Sequence, residues 1–237
     1  MIVFVVPLKS AKVSKSWDYV SSLFERCLKS LCNQTLSSFK VIVVCHEKPN
    51  IKFNHPYVTY VEVKFTSPKP TDYDEKRLDK IKKAVKGLTL ADELQPSHTM
   101  VVDADDCVSK RLAEFVHHNS QCNGWFIDKG YRYDDGSEHI LTVNKNFYKL
   151  CATSIIVRRN LLEPSQTSNF ESLLKHQIDH SKATENLASR GKPLERLPFT
   201  GAVYINVSNG DNLMSQRSFY NKLSENPRIF LSPIKKK

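Results

Sequence analysis

Glycine is scarce in this sequence, and no apolar run is long enough to cross a membrane. Only 7 of the 237 residues are glycine, and no apolar stretch approaches the roughly 20 residues that a transmembrane helix requires. Apolar residues make up 40% and charged residues 25%, which is typical of globular proteins and excludes a collagen-like fibre or a wholly disordered chain. A chain of this length can bury the core of one large domain or of two small ones.

The six cysteines show no CxxC pair and no spacing typical of zinc ligands. Disulfide frameworks are typical of small secreted chains, whereas this chain is larger and begins with MIVFVVPLKS. That apolar start has no basic leading region and no small-residue cleavage site, so it favours a buried strand over a signal peptide. We therefore expect cysteines that pack as small buried groups and a cytoplasmic protein.

Basic residues outnumber acidic ones, 35 to 25, which gives a formal net charge of +10. Clustered Lys and Arg attract phosphate, so this charge is compatible with a nucleic acid, an anionic surface or a small phosphorylated substrate. The basic residues concentrate in residues 76–86, at Arg158 and Arg159, and in residues 235–237. The largest acidic cluster lies apart from them. This distribution favours the surroundings of a small diphosphate and no nucleic acid, with an anionic membrane surface or acceptor as a peripheral contact.

Strand-like and helix-like patterns alternate along the first hundred residues. Short apolar or alternating runs predict strands, and apolar residues at helical spacing predict two amphipathic helices. The predicted strands are 2–6, 41–45, 58–65 and 98–102, and the first predicted helix is 17–34. The second helix follows residue 70, with Leu78, Ile81, Val85 and Leu88 inward and Lys76, Asp79, Lys80 and Lys83 outward. This order predicts an α/β fold, with a mostly parallel central sheet flanked by helices.

The second half is less regular. We expect a helix over 110–120 capped by Ser109, loops over 123–146 around a short strand at 125–127, and a strand at 155–157. A helix over 170–190 that ends at Gly191 and a last strand at 202–207 follow. Internal repeats and low-complexity linkers are absent from the sequence, which predicts one domain over residues 1–237.

The strongest chemical signal is the segment MVVDADDCVS. An apolar strand ends there at Asp103, Asp105 and Asp106, and residues two apart in extended chain point to the same side. Hard divalent cations such as Mg²⁺ and Mn²⁺ take oxygen ligands, and the carboxyl end of a strand is where open α/β sheets bind ligands. The structural alternative is an acidic turn that caps the next helix, with Asp106 near its N-terminus.

A phosphoryl-transfer enzyme of the haloacid dehalogenase type also places a DxD after a strand. Such enzymes carry the motif on the first strand and follow it with a small hydroxyl residue or Val. In this sequence that position is Cys107, and two strand–helix units come before the motif. The pattern therefore argues against this class.

Several segments in chain order resemble the GT-A glycosyltransferases, and are similar to glycosyltransferase family two and its less-characterised bacterial relatives. They are IVFVVPL, CLKSLCNQTLSSFKVIVVCHEKP, KRLDKIKKAV, MVVDADDCVSKRLAEFV, GWFIDKGYRY and CATSIIVRRNLL. The resemblance extends to about residue 160 and weakens beyond it. It implies a single GT-A domain, with a nucleotide-sugar half over about 1–106 and an acceptor half over about 107–237.

The resemblance also implies a donor site. Asp103 and Asp105 match the DxD that holds a divalent metal, Mn²⁺ or Mg²⁺, and Asp103 with Ala104 would contact the nucleotide-sugar, a UDP- or GDP-sugar. Pro7 matches the position that wraps the nucleotide, and Glu47 keeps the acidic chemistry of a pair that contacts the base or ribose. On the second helix, Asp79 and Lys83 match an Asp and a basic residue near the nucleotide, although a solvated surface is an equal alternative.

An inverting enzyme needs a base near the acceptor hydroxyl. The acceptor here would be a glycan or another hydroxyl compound. The family places an acidic residue in a helix after the CATS segment, where this sequence offers Glu171, His176, Asp179 and His180. His176 is the first choice because histidine titrates nearest neutral pH. Asp179 is a further candidate from that helix, and Asp135 is a candidate from a loop.

The sequence departs from the family pattern in two places. In the family the third metal ligand is commonly a His, and the matching stretch here is YINVSNGDN. This stretch contains no His, so Asn206, Asn209, Asp211 or water would have to take its place. Ala152 replaces a frequent Gly, which would narrow the acceptor pocket. Trp125, Tyr131 and Tyr133 are candidates either for stacking on a sugar ring or for the core.

Two other functional classes compete with a glycosyltransferase. A sugar nucleotidyltransferase shares much of the architecture but usually carries a Gly-rich basic loop after the first strand, and PLKSAKVSKSW has no glycine. A nucleic-acid-binding module would use a basic groove with stacking aromatics and would give the DxD no role. The predicted function is metal-dependent transfer of a sugar from a nucleotide-sugar to an acceptor hydroxyl, most consistent with inversion.

Overall fold

The computed structural model describes residues 1–162 and 180–207, and the backbone of residues 229–233. The helices are α1 Trp17–Cys32, α2 Tyr73–Ala91, α3 Leu112–His118, α4 Phe147–Leu150 and α5 His180–Ser189. The first six strands are β1 Ile2–Pro7, β2 Phe39–Cys45, β3 Val58–Glu62, β4 His98–Val101, β5 Cys107–Val108 and β6 Gly124–Phe126. The remaining described strands are β7 Gly130–Asp134, β8 His139–Val143, β9 Ile155–Arg158, β10 Glu195–Arg196, β11 Ala202–Asn206 and β12 Ile229–Pro233.

The strands form two sheets. The first has seven strands in the order β10-β6-β9-β4-β1-β2-β3, and the second has five in the order β12-β8-β7-β11-β5. In the first sheet β1 pairs in parallel with both β2 and β4, and β2 pairs in parallel with β3. Only β9 runs against its neighbours, β4 and β6. The predicted α/β architecture with a mostly parallel central sheet is therefore confirmed.

The central strands are apolar because both of their faces are covered. All six residues of β1 are buried, as are six of the seven in β2. Alternate residues of β1 enter different clusters: Phe4 packs with Phe24 of α1, whereas Val5 packs with Leu88 of α2. A strand buried on both sides reads as a continuous apolar run, which is why the sequence predicts these strands well.

The interior face of α2 differs from the predicted one. Ile81 and Leu88 are buried as expected, but Leu78 is 43% exposed. Asp79 and Lys83, predicted on the outer face, are 7% and 0% exposed. The apolar pattern was misleading because two oppositely charged side chains occupy interior positions, where they neutralise each other.

The second half contains more strand than the sequence predicts. Residues 123–146, expected to be loops around one strand, form β6 and an antiparallel pair, β7 with β8. The helix predicted over 110–120 spans only α3, and its N-cap is Arg111; the predicted cap Ser109 lies outside the helix, where it accepts a bond from the backbone N–H of Arg111. Of the helix predicted over 170–190, residues 170–179 lie outside the described part, and α5 ends before Gly191, whose φ is +70°. None of the described helices is both long and apolar enough to cross a membrane.

Candidate active site

The carboxyl ends of three parallel strands meet at one edge of the first sheet. Pro7, the last residue of β1, is in register with Val44 of β2, and Val5 is in register with Val101 of β4. The chain continues from these ends into Leu8 to Ser10, into His46 and Glu47, and into the acidic segment that begins at Asp103. The predicted nucleotide and metal residues of the first half therefore lie along one edge, where open α/β sheets bind ligands.

The acidic segment folds into a tight turn that brings three carboxylates together. The backbone N–H of Asp106 donates to the carbonyl of Asp103 at 3.1 Å. One carboxylate oxygen from each of Asp103, Asp105 and Asp106 lies within 4.8 Å of the other two. Among the described residues, this is the cluster of carboxylate, His and Cys groups whose spacing suits a metal ion.

Asp106 faces the protein interior and positions the turn. Its Oδ1 accepts from the backbone N–H of Ile205 at 2.9 Å, and its Oδ2 accepts from the hydroxyl of Thr153 at 2.7 Å. The Sγ of Cys151 lies 3.2 Å from Oδ2. Burial and then the neighbouring charge of Asp105 raise the pKa of Asp106 well above its usual range. Its oxygens are thus engaged in joining the turn to β11 and to the segment before β9.

Asp103 and Asp105 are the half-buried members of the cluster. Burial, and then the charge of Asp103, raise the pKa of Asp105 to about 6, although Lys80 and Lys9 act in the opposite direction. The backbone N–H of Asp103 donates to Thr153 Oγ1 at 2.9 Å, which fixes the start of the turn. Both side chains are thus only partly exposed, with Oδ1 of Asp103 itself covered, and they crowd negative charge into one place.

Lys80 of α2 supplies a nearby counter-charge. Its Nζ lies 2.5 Å from Oδ1 of Asp103, and the two side chains are 25% and 27% exposed. Burial would lower the pKa of Lys80, but the charge of Asp103 and the hydrogen bond to it raise it. Sequence analysis missed this contact because Lys80 reads as one of several lysines on a solvated helix face. Its position one residue after the inward-facing Asp79 would have identified it only if the orientation of α2 had been known.

Asp79 and Lys83 belong to a buried hydrogen-bond network next to the strand ends that border the site. Lys83 Nζ donates to Oδ2 of Asp79 and to the carbonyl of Leu8, both at 2.7 Å. The other oxygen of Asp79 lies 2.7 Å from Nε2 of His46, so the network connects α2 to the ends of β1 and β2. The prediction of outward-facing side chains is wrong. The two residues are placed to support the loops that border the strand ends.

Glu47 is tied to the loop that follows β1. Its carboxylate accepts from the hydroxyl of Ser10 at 3.0 Å and from the backbone N–H of Ala11. Ser10 is fully buried and in turn accepts from the N–H of Lys12, so it caps a single 3-10 turn over Ala11–Val13. The segment PLKSAKV, which lacks glycine, is therefore shaped by these side-chain bonds.

The second sheet closes the other side of the acidic cluster. Tyr204 of β11 is in register with Arg132 of β7. The next residue, Ile205, donates its backbone N–H to Asp106, and burial, followed by the charges of Asp106 and Asp105, raises the pKa of Tyr204. Sequence analysis did not select Tyr204, because a tyrosine in a short strand carries no signal that distinguishes a site from the core.

Of the three side chains that could supply a third metal ligand, only Asn206 lies in the described part of the chain. Asn206 donates from Nδ2 to Asp134 at 2.7 Å, so its side chain is bound to a neighbouring strand. Asn209 and Asp211 lie outside the described residues. Of the aromatic candidates for sugar stacking, Trp125 is 1% exposed and packs against His98 and Phe115 in the core.

Of the three predicted base residues, only Asp135 lies in the described part of the chain; His176 and Asp179 do not. Asp135 Oδ1 lies 2.8 Å from a guanidinium nitrogen of Arg26, and its Oδ2 accepts from the hydroxyl of Tyr19. Partial burial acts to raise the pKa of Asp135, but the bonds from Tyr19 and Arg26 lower it. A carboxylate with a lowered pKa is a weak base, so this geometry favours anchoring of the loop to α1.

The donor set suits a hard divalent cation. Asp103 and Asp105 offer oxygen ligands from the partly exposed side of the cluster, while the buried Asp106 fixes the turn. Burial and, after it, the charge of Asp103 raise the pKa of Asp105, and a bound cation would favour its ionised form. Such sites commonly leave positions for water and for phosphate oxygens of a substrate.

Comparisons with known proteins place this geometry in a fold. No family model and no curated protein matches the chain. It is similar to the crystal structure of S. aureus TarS 1-349 in complex with UDP-GlcNAc, with a TM-score of 0.54 and 15% identity over 93% of this chain and 63% of that one. It is also similar to a longer S. aureus TarS structure, with a TM-score of 0.52 and 15% identity over 89% and 37%.

The similarity has a definite extent. This chain spans between 37% and 63% of the length of those two TarS chains. A cytidylyltransferase, Francisella tularensis IspD, matches at a TM-score of 0.45 with 13% identity, covering 94% of this chain and 98% of that one; so low a score carries no argument. The two TarS likenesses, the mostly parallel sheet and the aspartates after β4 together show that the chain has the GT-A glycosyltransferase fold.

Proposed function

We propose that the chain transfers a sugar from a nucleotide-sugar to an acceptor hydroxyl, with a divalent metal and with inversion at the sugar carbon. The observation that carries the proposal is the pair of partly exposed aspartates, Asp103 and Asp105, after the end of β4 in a GT-A fold. A basic side chain, Lys80, stands beside them. An acidic pair with an adjacent lysine suits a diphosphate that binds through a metal ion better than a nucleic acid that binds without one.

Asp103 and Asp105 would hold Mn²⁺ or Mg²⁺, which would neutralise the charge that grows on the leaving diphosphate. The rest of the chain keeps this pair in place. Asp106 fixes the turn through Ile205 and Thr153. The pair therefore needs little rearrangement when the donor binds, which is the condition under which electrostatic stabilisation is most effective.

The donor would lie along the ends of β1 and β2, with Pro7, Glu47, Asp103 and Ala104 bordering it. We favour a UDP-sugar, because TarS, which shares the fold, has been crystallised with UDP-GlcNAc; a GDP-sugar is the second choice. The buried network of Lys83, Asp79 and His46 supports this border from below. Residues from about 107 onwards would form the acceptor half, for a glycan or another hydroxyl compound.

The proposed base is His176, with Asp179 and Asp135 as further candidates. The pairing of Asp135 with Arg26 and Tyr19 makes it the weakest of the three as a base. A base acts on the acceptor and not on the donor. His176→Gln is therefore expected to abolish transfer while leaving nucleotide-sugar binding within a factor of about two.

The decisive experiment is calorimetry of UDP-, GDP- and CDP-sugars with and without Mn²⁺. The native protein is expected to bind one class of donor only when metal is present, and Asp105→Ala is expected to bind it at least about tenfold more weakly. Lys86→Ala, an exposed position on α2, is the matched control and should bind as the native protein does. Lack of metal-dependent binding by the native protein would contradict the proposal, as would salt-sensitive oligonucleotide binding that survives Asp105→Ala.

A further inference from the structure

Lys80 and Asp103 form an ion pair at the place where a metal and a diphosphate would meet. The Nζ–Oδ1 distance is 2.5 Å, and the two side chains are 25% and 27% exposed, although Oδ1 itself is covered. The ammonium also acts on Asp105 and Asp106. Lys80 is therefore already bound to a carboxylate that the proposed metal would need.

The charges at this edge are close to balance. The cluster contains three carboxylates, Asp103, Asp105 and Asp106, and Lys80 and Lys9 act on it from the neighbouring helix and loop. A divalent cation bound to Asp103 and Asp105 would leave the edge with an excess of positive charge. Two cations on one carboxylate repel each other, so metal binding would be opposed by Lys80 unless an anion arrived with it.

We infer that Lys80 couples the two ligands: it exchanges Asp103 for the donor's diphosphate when the metal binds, which makes metal and nucleotide binding cooperative. This inference rests on the proposed function. A lysine suits the exchange, because its ammonium is a compact point charge on a flexible stem and needs no fixed partner geometry. In the absence of donor Lys80 weakens metal binding, and in the presence of donor it strengthens both, as reciprocal linkage requires.

Loss of the Lys80 charge should change the affinities for metal alone and for nucleotide with metal in opposite directions. A purely structural role for Lys80 would not produce opposite changes. Lys80→Met keeps the length of the side chain and removes the charge. Mn²⁺ alone is then expected to bind about threefold more tightly, because an exposed ion pair no longer competes. UDP in the presence of Mn²⁺ is expected to bind about tenfold more weakly, because a charge-assisted contact to phosphate is lost.

The test is a binding cycle measured by calorimetry: Mn²⁺ with and without UDP, and UDP with and without Mn²⁺. GDP serves as a second nucleotide, because the inferred contact does not involve the base. Lys80→Arg keeps a positive charge and should retain most of the cooperativity. Lys86→Met removes an exposed charge from the same helix and should change neither affinity. Uridine binding should be the same in native protein and Lys80→Met, because uridine has no phosphate.

Two results would overturn the inference while leaving the proposed function intact: Mn²⁺ binding that is unchanged or weaker in Lys80→Met, or a metal–nucleotide coupling equal to that of the native protein. Failure of the native protein to bind Mn²⁺ together with either nucleotide would instead contradict both the proposed function and the inference. The two failures are thus distinguishable in a single set of titrations.

Discussion

The ammonium of Lys83 lies 2.7 Å from a carboxylate oxygen of Asp79, one helical turn earlier in α2, and both side chains are buried. The same ammonium bonds to the carbonyl of Leu8 after β1, and the same carboxylate contacts His46 after β2. A single ion pair thus connects the helix to two of the strand ends that border the candidate site. Its removal should affect folding and donor binding together.

Asp79→Ala is expected to lower the free energy of unfolding by about 3–5 kcal/mol, because it leaves the ammonium of Lys83 buried without its carboxylate. Urea unfolding monitored by circular dichroism measures this loss. The double variant Asp79→Ala with Lys83→Met removes both charges and should recover part of it. If the double variant loses the full sum of the two single losses, the pair is not coupled and this interpretation fails.

The sequence predicts the parts of the fold in which apolar pattern and structure agree. Strands β1 and β2 are almost continuously apolar because both of their faces are covered, whereas β4 buries the polar side chains of His98 and Thr99. The acidic turn after β4 is predictable for a related reason: three charged residues directly after a buried strand have to lie at the edge of the sheet. Asp103 and Asp105 were therefore found without the structure.

The rest depends on partners that are distant in sequence. The inward orientation of Asp79 and Lys83 follows from their pairing with each other and with Leu8, which an apolar pattern cannot show. The direction of β9 has no signature in its own residues. Lys80 and Ile205 contact the acidic turn only because α2 and β11 lie next to it. Neither residue differs in sequence pattern from its neighbours.

Gly87 is a tight contact between α2 and the central sheet. A Cβ added there would lie 2.4 Å from Cγ1 of Val5 and 3.1 Å from Cγ2 of Val44. Helix propensity alone favours alanine over glycine by about 1 kcal/mol, whereas overpacking costs about 1–3 kcal/mol. Gly87→Ala is therefore expected to be destabilising in urea unfolding.

The control for Gly87 is the neighbouring position. Lys86→Ala, on the exposed side of the same turn, should change stability by less than about 0.5 kcal/mol. Combining Gly87→Ala with Val5→Ala, which removes the clashing methyl group, should cost less than the sum of the two single changes. A stabilising effect of Gly87→Ala alone would show that the helix shifts away from β1 without penalty.

Because His98 is buried, we expect it to make the protein less stable in mild acid. Its ring is buried, its Nε2 lies 3.0 Å from the carbonyl of Cys122, and burial lowers its pKa to about 4. The pKa of His in the unfolded chain is about 6.5. Between pH about 4 and about 6.5, His98 is therefore protonated in the unfolded chain but not in the folded one. Stability from this residue is complete above pH about 6.5 and is lost as the pH falls from there towards 4, by up to about 3 kcal/mol.

The measurement compares the free energy of unfolding of native protein and His98→Gln from pH 7.5 to 4. Glutamine does not titrate, so the difference between the two proteins should shrink as the pH falls, even though other groups titrate in both. Parallel curves over the whole range would mean that His98 does not contribute to the acid sensitivity.

Asp105 has the opposite dependence on pH. Burial and the charge of Asp103 raise its pKa to about 6 in the folded protein, against about 3.9 in an unfolded chain. The folded state then binds more protons between these values, so its stability falls as the pH rises from about 4 through 6. At pH 7 the ionised carboxylate therefore lowers the stability of the metal-free protein.

Asp105→Asn should therefore stabilise the metal-free protein at pH 7 by about 1–3 kcal/mol, while it weakens Mn²⁺ binding. The gain should disappear as the pH is lowered to about 4, where the native carboxyl is itself protonated. Unfolding with and without Mn²⁺ measures both effects, because a ligand that binds only the folded state raises its stability. Glu185→Gln, at an exposed position in the middle of α5, should change neither quantity. If Asp105→Asn is less stable than the native protein at pH 7, or gains as much from Mn²⁺, then Asp105 does not carry the strained charge assigned to it.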